Sequence, residues 1–427
     1  MNKIVKLNSL AFCALCASCT SSPTSEQSSV NGKSWLAGDH HIHSQYSVRW
    51  DKTQVPPKAQ IGGDAIYSIP KNAEMARKFG LSWMVSTDHG GPNHSKINRE
   101  LAYPELLQSR KSVSEVLQFY GLELNTPSGD HSSIIVPHSH DEAEVLFKLE
   151  SAFDKKEPII NDPHRHTEEK MIEALNVMKT LDKPPIVIAH HPSRSAKKLG
   201  KYGLYEPREF RRWNDTAPNV AIGMEGAPGH QAYGLNNKKK RPRGGYKNFP
   251  TMGGFDQMTA QLGGFWDSMI GEGRHWWITA NSDSHTHYTE GGGDFWPGEY
   301  SKTYVFANKN HDSVLSGLRS GQVFVTTGDL ISELFVTVSN NQQHASIGGD
   351  ISVSKGQKVE IEIKLLAPKD SNAAGYHPTV SRVDLIVGEI SGKQTNVNAN
   401  KNASTRVEKR FSPKDWHIEG QYYVMNY

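Results

Sequence analysis

The chain concentrates metal-binding side chains in one short stretch near its start. Residues 38–44 read GDHHIHS, with three histidines and an aspartate among seven residues. If the preceding KSWLA is a strand, alternation sends His41 and His43 to the same face, where two imidazoles can bind one cation. His40 is then a neighbour rather than a ligand. A polar, histidine-rich surface turn would have the same sequence, so the rest of the chain has to decide between the two interpretations.

Four more polar clusters follow runs that read as buried strands. TDHGG at 87–91 follows LSWMVS, HHPSR at 190–194 follows PPIVIA, and NSDSH at 281–285 follows HWWITA. The apolar run SEVLQFYGLELN likewise leads to Glu123. In α/β barrels the site lies at the carboxyl ends of the parallel strands, so we expect these clusters to meet there. Five clusters in one such array predict a site for more than one metal ion.

Helical segments separate the strand-like runs. IPKNAEMARKFG has Pro70 at a helix start, apolar residues at helical spacing, and Gly80 where a C-cap belongs. TEEKMIEALNVMKTLDK reads as a second helix with Thr167 as its N-cap. The alternation of strand and helix from Trp35 onward predicts an α/β barrel.

The composition is that of an ordinary globular protein. The chain has 427 residues, of which 36% are hydrophobic and 22% charged. A single core stops growing at roughly 250 to 300 residues, so we expect two domains. The net charge of +3, from 48 basic and 45 acidic residues, is close to balance. It implies no polybasic surface and does not support a nucleic-acid partner.

The N-terminus reads as an export signal. Two lysines precede an apolar run over 7–17 that is too short to span a membrane, so residues 1–19 are predicted to be a signal peptide. CASC ending at Cys19 resembles a bacterial lipobox, with simple cleavage as the alternative to lipidation. Residues 20–32 are then a polar tether. We expect an exported protein, periplasmic, on the outer membrane or secreted, whose contact with a membrane is at most this lipid anchor.

All three cysteines lie within the signal segment. The mature chain is therefore expected to have neither a disulfide nor a thiolate ligand, so any metal ion is held by nitrogen and oxygen. Imidazole mixed with carboxylate suits Zn, Mn or Fe, and the sequence does not choose among these metals.

Together the clusters resemble the PHP (polymerase and histidinol phosphatase) superfamily of metal-dependent phosphoesterases. The segments that carry the likeness are DHHIHS at 39–44, STDHG at 86–90, GLE at 121–123 with GDH at 129–131, AHHP at 189–192 and NSDSH at 281–285. The later LRSGQVFVTTGD is similar to the segment after the barrel in secreted members, including CehA/McbA-type hydrolases. The resemblance implies an α/β fold, a distorted (β/α)7 TIM-like barrel over residues 33–329, with a centre of two or three divalent metal ions.

The resemblance also implies ligands for two of these ions. His41 and His43 with Asp283 are expected to hold one ion, and Glu123 is expected to bridge it to a second. His131 is expected to bind that second ion. A bridging carboxylate offsets the mutual repulsion of two neighbouring cations, which agrees with this assignment.

The remaining ligands are less clearly assigned by the resemblance. The second ion takes a histidine of AHHP, and His191, next to the proline, is preferred over His190. His89 and His285 match ligands of a third ion, with Asp88 either a ligand or the partner that orients His89.

One departure from the family pattern puts the third ion in doubt. Family members place an acidic residue or histidine shortly after the first His-x-His, whereas this chain has Val48 at that point. Asp51 could serve from a slightly longer loop.

The sequence pattern changes near residue 330. Runs such as ELFVTVSN, KVEIEIKLLAP, VSRVDLIVGEI and QYYVMNY alternate apolar and polar residues. We therefore predict a small all-β sandwich over residues 330–427, without a catalytic cluster.

The residues and the resemblance lead to a hydrolase as the first hypothesis. Cations held about 3.5 to 4 Å apart lower the pKa of a bound water to about 7 and neutralise charge on a leaving oxygen. Asp88 or Asp283 is expected to pass a proton to the leaving group, and Arg194 to hold a phosphate oxygen. The expected substrate is a small or polymer-derived phosphate ester.

Two other functions stay open. A near-neutral metal hydroxide also attacks carbonyls, so a carboxyl-ester, carbamate or amide hydrolase of CehA/McbA type is the main alternative. Such a substrate would favour an aromatic-lined pocket, to which Phe295 and Trp296 could contribute. The other is a metal-bearing surface protein that binds a glycan or partner, for which closed metal coordination is expected.

Overall fold

The computed structural model describes residues 32–232, 246, 248–340 and 342–427. The signal peptide predicted at 1–19 and the tether predicted at 20–32, apart from Gly32, lie outside the described residues.

The secondary structure alternates between strands and helices up to about residue 327. The helices are α1 (Ile69–Lys78), α2 (His94–Ile97), α3 (Tyr103–Ser112), α4 (Glu142–Phe153), α5 (Glu168–Met178), α6 (Pro207–Thr216), α7 (Gly229–Ala232), α8 (Gln257–Ala260), α9 (Phe265–Gly271) and α10 (His311–Arg319). A π-helical turn at Asn98–Ala102 joins α2 to α3, and 3-10 turns lie at Pro163–His166 and Tyr288–Glu290.

The strands form two groups, which lie before and after about residue 327 of the chain. The first group is β1 (Ser34–Ile42), β2 (Arg49–Asp51), β3 (Lys58–Gln60), β4 (Trp83–Ser86), β5 (Leu117–Asn125), β6 (His131–Val136), β7 (Ile186–Ala189), β8 (Ala221–Pro228), β9 (Trp277–Asn281), β10 (Ser301–Ala307) and β11 (Val323–Thr327). The second group is β12 (Glu333–Ser339), β13 (His344–Ser346), β14 (Glu360–Leu366), β15 (Val383–Val387), β16 (Arg406–Phe411), β17 (His417–Glu419) and β18 (Tyr422–Asn426).

A nine-stranded sheet in the order β11-β10-β1-β4-β5-β6-β7-β8-β9 forms most of the molecule. The β1–β4, β4–β5, β7–β8 and β8–β9 pairs are parallel, whereas β6 runs antiparallel to both β5 and β7. A parallel bridge between Ile42 and Ser284 joins the two ends of the seven-strand circuit. Asp39 supports this closure, since it accepts a hydrogen bond from Ser282 N at 3.0 Å. The expected distorted α/β barrel is thus confirmed, and the reversed β6 is its main distortion.

Local sequence explains where the first helices begin and end. Ser68 caps α1 by accepting a hydrogen bond from the first turn, which also contains Pro70, and Gly80 follows the last turn with φ of 78°. Thr167 caps α5 in the same way. The caps predicted from the sequence are therefore present.

The barrel strands are buried on both faces, which is why they read as continuous apolar runs. Along β7, Ile186 and Ile188 join a cluster with side chains of β4, β5 and β8. Val187 and Ala189 point the other way, into a cluster with α4, α5 and α6. Gly38 is required in β1, because a Cβ there would lie 1.9 Å from Trp83 Cε2. The two packed layers hold the strand ends, and hence the polar clusters, in fixed positions.

The second group of strands forms separate antiparallel sheets, as expected. A five-stranded sheet has the order β13-β12-β14-β18-β17, and β15 pairs with β16. Their apolar faces meet around Ile363, Leu365 and Met425 of the larger sheet and Phe411 of the smaller one. Among the described residues, no helix combines the length and apolarity needed to cross a bilayer.

Candidate metal centre

The predicted polar clusters meet at the carboxyl ends of β1, β4, β5, β7 and β9. Within the described ranges, five groups of three histidine or acidic residues bring their donor atoms within 4.8 Å of one another. Glu123 and His41 each belong to two of these groups, one of which they share. The site is therefore one continuous set of nitrogen and oxygen donors.

The Nε2 atoms of His41 and His43 face each other. His41 Nδ1 donates to Glu225 Oε1 at 2.8 Å, so its Nε2 keeps a lone pair. Ser47 Oγ donates to Asp88 Oδ1 at 2.8 Å and therefore accepts from His43 Nδ1, also at 2.8 Å. The two Nε2 atoms lie 3.0 Å apart. Two lone pairs at this distance repel each other unless a proton or a metal ion lies between them.

Asp283 places a carboxylate oxygen beside the Nε2 atoms of His41 and His43. Its Oδ1 lies 3.1 Å from His41 Nε2 and 3.2 Å from His43 Nε2. Donors that share an ion at about 2.1 Å lie about 3.0 to 3.4 Å apart, so these three atoms fit one ion. The other oxygen of Asp283 accepts a hydrogen bond from Gln231 Nε2, which fixes the carboxylate plane. Asp283 has φ of 50°, an uncommon left-handed conformation for a non-glycine residue.

Glu123 lies between the first group and the histidines beyond it. Its Oε1 lies 3.1 Å from His41 Nε2 and 2.8 Å from His131 Nδ1. Its Oε2 lies 3.5 Å from His43 Nε2 and 3.7 Å from His89 Nε2. One carboxylate thus reaches donors on both sides, as a bridging ligand must.

The electrostatics of the centre favour a cation. Burial lowers the pKa of His41, but the negative charges of Asp283, Glu123 and Glu225 outweigh burial and raise it well above its usual value. Burial raises the pKa of Glu123, yet nearby His131 and His41 outweigh burial and lower it well below its usual value. Both results describe ionised carboxylates around an open imidazole nitrogen, for which a proton and a metal ion compete.

His191 and His131 form the second group with Glu123. His191 Nε2 lies 3.4 Å from Glu123 Oε1, and its Nδ1 lies 3.6 Å from Asp130 Oδ2. The His191 side chain is fully buried, and neither ring nitrogen has a hydrogen-bond partner among the described residues. Buried polar atoms are rarely left without hydrogen bonds, and a metal ion between His191 Nε2 and Glu123 Oε1 would give both atoms a partner.

His190, by contrast, has partners for both ring nitrogens. Its Nδ1 lies 2.9 Å from Glu123 Oε1 and its Nε2 lies 2.5 Å from Ser133 Oγ. The same serine hydroxyl lies 3.1 Å from His40 Nδ1. This geometry favours His191 as the ligand, and it makes His190 and His40 supporting residues.

A carboxylate that the sequence pattern did not reveal lies beside a third group. His43, His89 and His285 come together, and Asp64 Oδ2 lies 3.1 Å from His89 Nε2 and 3.6 Å from His285 Nε2. Asp64 lies in the loop IGGDAIY, without a buried strand before it. The available signal was an aspartate in a glycine-rich loop about twenty residues after the first His-x-His.

Asp51, the acid considered from the sequence, does not join the donor groups. It lies in β2, and its carboxylate accepts hydrogen bonds from Thr53 Oγ1 at 2.6 Å and Gln54 Nε2 at 2.9 Å. None of the donor groups of the described residues includes Asp51. These groups do not include Asp64 either, but Asp64, unlike Asp51, has a carboxylate oxygen beside His89 and His285.

Asp88 lies behind the centre rather than in it. Its oxygens accept from Ser44 N at 2.5 Å, Ser44 Oγ at 2.6 Å and Ser47 Oγ at 2.8 Å. Through Ser47 it fixes the tautomer of His43, which favours a positioning role over a ligand role. The resemblance had implied that Asp88 would be either a ligand or the partner that orients His89.

Glu225 is a second positioning carboxylate. One oxygen accepts from His41 Nδ1, and the other accepts from His191 N at 2.5 Å. It thus connects a ligand of the first group with the backbone of a ligand of the second.

Arg194 lies beside the centre, and some of its N–H groups form hydrogen bonds within the protein. Its guanidinium forms a bidentate pair with Asp130, with Nε to Oδ2 at 3.0 Å, and its Nη1 lies 3.4 Å from Gln231 Oε1. The side chain remains 24% exposed. A guanidinium has five N–H groups, so two stay available for a phosphate oxygen.

The two aromatic residues considered for a substrate pocket are buried in the fold. Phe295 is 7% exposed and stacks on Tyr300, and Trp296 is 6% exposed and packs against Tyr67. Neither ring offers a face to a substrate.

The donors fit divalent metal ions as a set. They are imidazoles and carboxylates with no thiolate among the described residues, which suits Zn, Mn or Fe. The buried lone pairs of His41, His43 and His191 supply the structural reason for such ions, independently of any relative.

Comparison with known proteins yields likeness only among solved structures. No family model matches the chain, and no curated protein is similar to it. A two-domain protein from Bacteroides vulgatus ATCC 8482, described as containing a predicted PHP-like metal-dependent phosphoesterase, is similar over 95% of this chain and 90% of its own, with 12% identity and a TM-score of 0.42. Endonuclease Q bound to a 27-mer duplex with an abasic lesion is similar over 67% of this chain and 56% of its own, with 16% identity and a TM-score of 0.37.

Proposed function

We propose that this chain is a metal-dependent hydrolase of the PHP type and that its substrates are phosphate esters. The observation that carries the proposal is the set of buried nitrogen and oxygen donors that converge around Glu123. On one side His41, His43 and Asp283 share a point, and on the other side lies His191, without a hydrogen-bond partner among the described residues. A site for a purely structural metal ion would not need so many donor atoms at neighbouring positions.

Divalent ions bound at this centre would activate a water molecule near neutral pH and neutralise negative charge on the substrate. The protein residues have separate tasks. Glu123 holds the two groups at a fixed spacing, while Glu225 and Asp88 fix the imidazole tautomers of His41 and His43. Arg194 directs its two remaining N–H groups to a phosphate oxygen.

Neither Asp88 nor Asp283 suits the role of proton donor to the leaving group, so the bound ions would neutralise the leaving oxygen. Asp88 is 1% exposed and accepts hydrogen bonds from Ser44 and Ser47 on both oxygens. Asp283 would offer Oδ1 to the ion beside His41 and His43, and its other oxygen accepts from Gln231. Burial raises the pKa of Asp283, but nearby His41 outweighs burial and lowers it well below its usual value, so the carboxylate is ionised. Carboxyl-ester or carbamate cleavage remains the alternative substrate class, although Phe295 and Trp296 do not form the aromatic pocket that it would favour.

The test uses residues 21–427, loaded with Mn²⁺ or Zn²⁺. Hydrolysis of aryl phosphate monoesters and diesters is measured beside aryl carboxyl esters and carbamates. We expect phosphate ester turnover that falls by at least about a hundredfold in Asp283→Ala, because that variant loses a metal ligand. Asp182→Ala, an aspartate in an exposed turn, is the matched control and should keep full activity.

The outcomes separate the candidate functions. Turnover of esters or carbamates alone, lost in Asp283→Ala, would move the assignment to the alternative class. Equal rates in the wild type and Asp283→Ala would mean that the activity does not come from this centre. Tight metal binding without turnover of any substrate would favour the surface protein.

A further inference from the structure

A second site lies apart from the metal donors, between the barrel and the C-terminal residues. A cavity of about 570 Å³ opens between the segment 195–207, which follows His191 in the chain, and Asn398 and Asn400 near the C-terminus. Binding sites for small molecules have volumes of about 300 to 1,000 Å³, so the cavity has the size of one.

Three lysines make the cavity strongly basic. Lys197, Lys198 and Lys201 line it and are exposed. Lys198 and Lys201 pair across an antiparallel bridge, which places two like charges opposite each other. Such a pair destabilises a fold, and no carboxylate of the described residues forms an ion pair with any of the three lysines. The lysines therefore leave a positive charge at the cavity that an anionic ligand would neutralise.

The turn that carries the lysines is held in place. Lys201 N donates to Lys198 O at 3.2 Å, and Gly200 between them has φ of 72°, which favours glycine. Gln257, 2% exposed, accepts from Gly200 N at 2.8 Å and donates to Lys198 O at 3.4 Å. A buried side chain thus orders the turn in advance, which lowers the entropic cost of binding.

The other walls are polar and uncharged. Asn400 faces the turn, since a Cβ at Gly200 would lie 3.6 Å from its Nδ2. Tyr202, which lines the cavity, is 5% exposed. Glu206 also lines the cavity, but it caps α6 and lies 3.7 Å from Arg208. The acid is therefore already engaged, and the field in the cavity is that of the lysines.

We propose that this cavity binds a small polyanion with phosphate groups and a polar body, such as a phosphorylated sugar, between the barrel lysines and the C-terminal asparagines. The phosphates would contact Lys198 and Lys201, and the polar body would contact Asn398 and Asn400. The C-terminal residues thus form a wall of the ligand site. The proposal does not depend on the activity of the metal centre.

The cavity is also lined by a residue that forms a hydrogen bond with His131, a candidate metal ligand. Tyr205 lines it, and the Tyr205 hydroxyl donates to His131 O at 2.6 Å. The bound polyanion is either a remote group of the substrate that is cleaved at the metal centre or a separate phosphate compound.

Inorganic tripolyphosphate is the probe, with the divalent ion in excess so that the metal centre stays loaded. Binding is measured by calorimetry on residues 21–427, and its location by hydrogen exchange of residues 195–207. We expect protection of this segment and an affinity that falls by at least about tenfold in Lys198→Gln/Lys201→Gln, because two charges are removed. Lys355→Gln/Lys358→Gln is the matched control, since it removes two exposed lysines at the same spacing elsewhere.

Asn400→Ala tests the second wall. We expect an affinity a few-fold lower than in the wild type, with all lysines present. Unchanged binding in Lys198→Gln/Lys201→Gln, or equal loss in the control pair, would overturn the site. Unchanged binding in Asn400→Ala would overturn the role of the C-terminal residues. These measurements need no turnover, so they can succeed even if the proposed hydrolase activity fails.

Kinetics distinguish the two sources of the polyanion. If the cavity binds a remote group of the substrate, Lys198→Gln/Lys201→Gln raises KM for a substrate with a second phosphate and leaves KM for a simple aryl phosphate unchanged. If it binds a separate compound, tripolyphosphate changes the wild-type rate on the aryl phosphate at saturating substrate, and this effect disappears in the variant.

Discussion

Replacing Glu225 by glutamine is expected to weaken metal binding at His41 without touching a ligand directly. Glu225 is fully buried, and each of its oxygens accepts one hydrogen bond, from His41 Nδ1 at 2.8 Å and from His191 N at 2.5 Å. The substitution keeps the volume of the side chain. It removes the negative charge that makes the imidazole of His41 a better donor.

Two costs can be worked out for Glu225→Gln. The loss of an oriented carboxylate behind a ligating histidine lowers metal affinity by about 10- to 100-fold, or about 1.4 to 2.7 kcal/mol. The amide offers one acceptor and one NH2 group where two donors must be satisfied. One N–H of His41 or His191 then faces another donor, which costs about 1 to 3 kcal/mol of folding free energy.

The assay separates the two costs by comparison with Glu272→Gln. Glu272 is also buried, and its oxygens accept from Arg211 Nε at 2.8 Å and Arg274 Nε at 2.7 Å, away from the metal donors. Metal content is measured in equilibrium with a chelator of known affinity, and stability is measured as the urea midpoint. We expect both variants to lose stability and only Glu225→Gln to lose metal affinity.

The prediction for Glu225 is contradicted if Glu225→Gln binds metal as tightly as the wild type while its urea midpoint falls like that of Glu272→Gln. Glu225 would then be a structural carboxylate, and the lone-pair argument for His41 would be wrong. A loss of metal affinity in both variants would show that general destabilisation, and not the hydrogen bond to His41, reduces binding.

Three further predictions concern residues around the centre. Asp64→Ala should lower the bound metal by one ion per chain, as measured by elemental analysis, whereas Asp51→Ala should bind as much as the wild type; equal contents in both would remove Asp64 from the ligands. His191→Gln should lose metal affinity more strongly than His190→Gln in the same chelator assay, because both nitrogens of His190 have protein partners. Burial lowers the pKa of His94, but the charge of its buried carboxylate partner outweighs burial and raises the pKa to about 9. The protonated form thus contributes about 3 kcal/mol of stability that is complete below a pH of about 6.5 and is lost as the pH rises through about 9. The urea midpoint of the wild type should fall over this range, and a midpoint of His94→Gln with the same pH slope would contradict the prediction.

Much of the fold could be predicted because its signals are local. Pro70, Gly80 and Thr167 mark helix ends through contacts within one turn, and the structure has them in those roles. The apolar runs predict strands because a strand buried on both faces has no polar alternation. The reversal of β6 has no such local signal, because direction in a sheet depends on which strands pair.

The candidate ligands were predictable where they follow a strand. His41, His43, His191 and Asp283 all stand at the ends of apolar runs, so their position in the chain already predicts their position in the barrel. Asp64 was missed because its loop has no buried strand before it, and it reaches His89 only through the path of that loop.

The sequence by itself determined that donors from five strand ends must converge, since parallel strands in one barrel bring their carboxyl ends to one rim. The tertiary structure alone decided which atom of each donor is open. That depends on partners far away in the chain, such as Glu225 behind His41 and the Asp88–Ser47 pair behind His43. It also decided that Lys198 and Lys201 face Asn400 across a cavity. Side-chain hydrogen bonds and shared cavities form between segments that only folding brings together, and no periodicity along the chain encodes them.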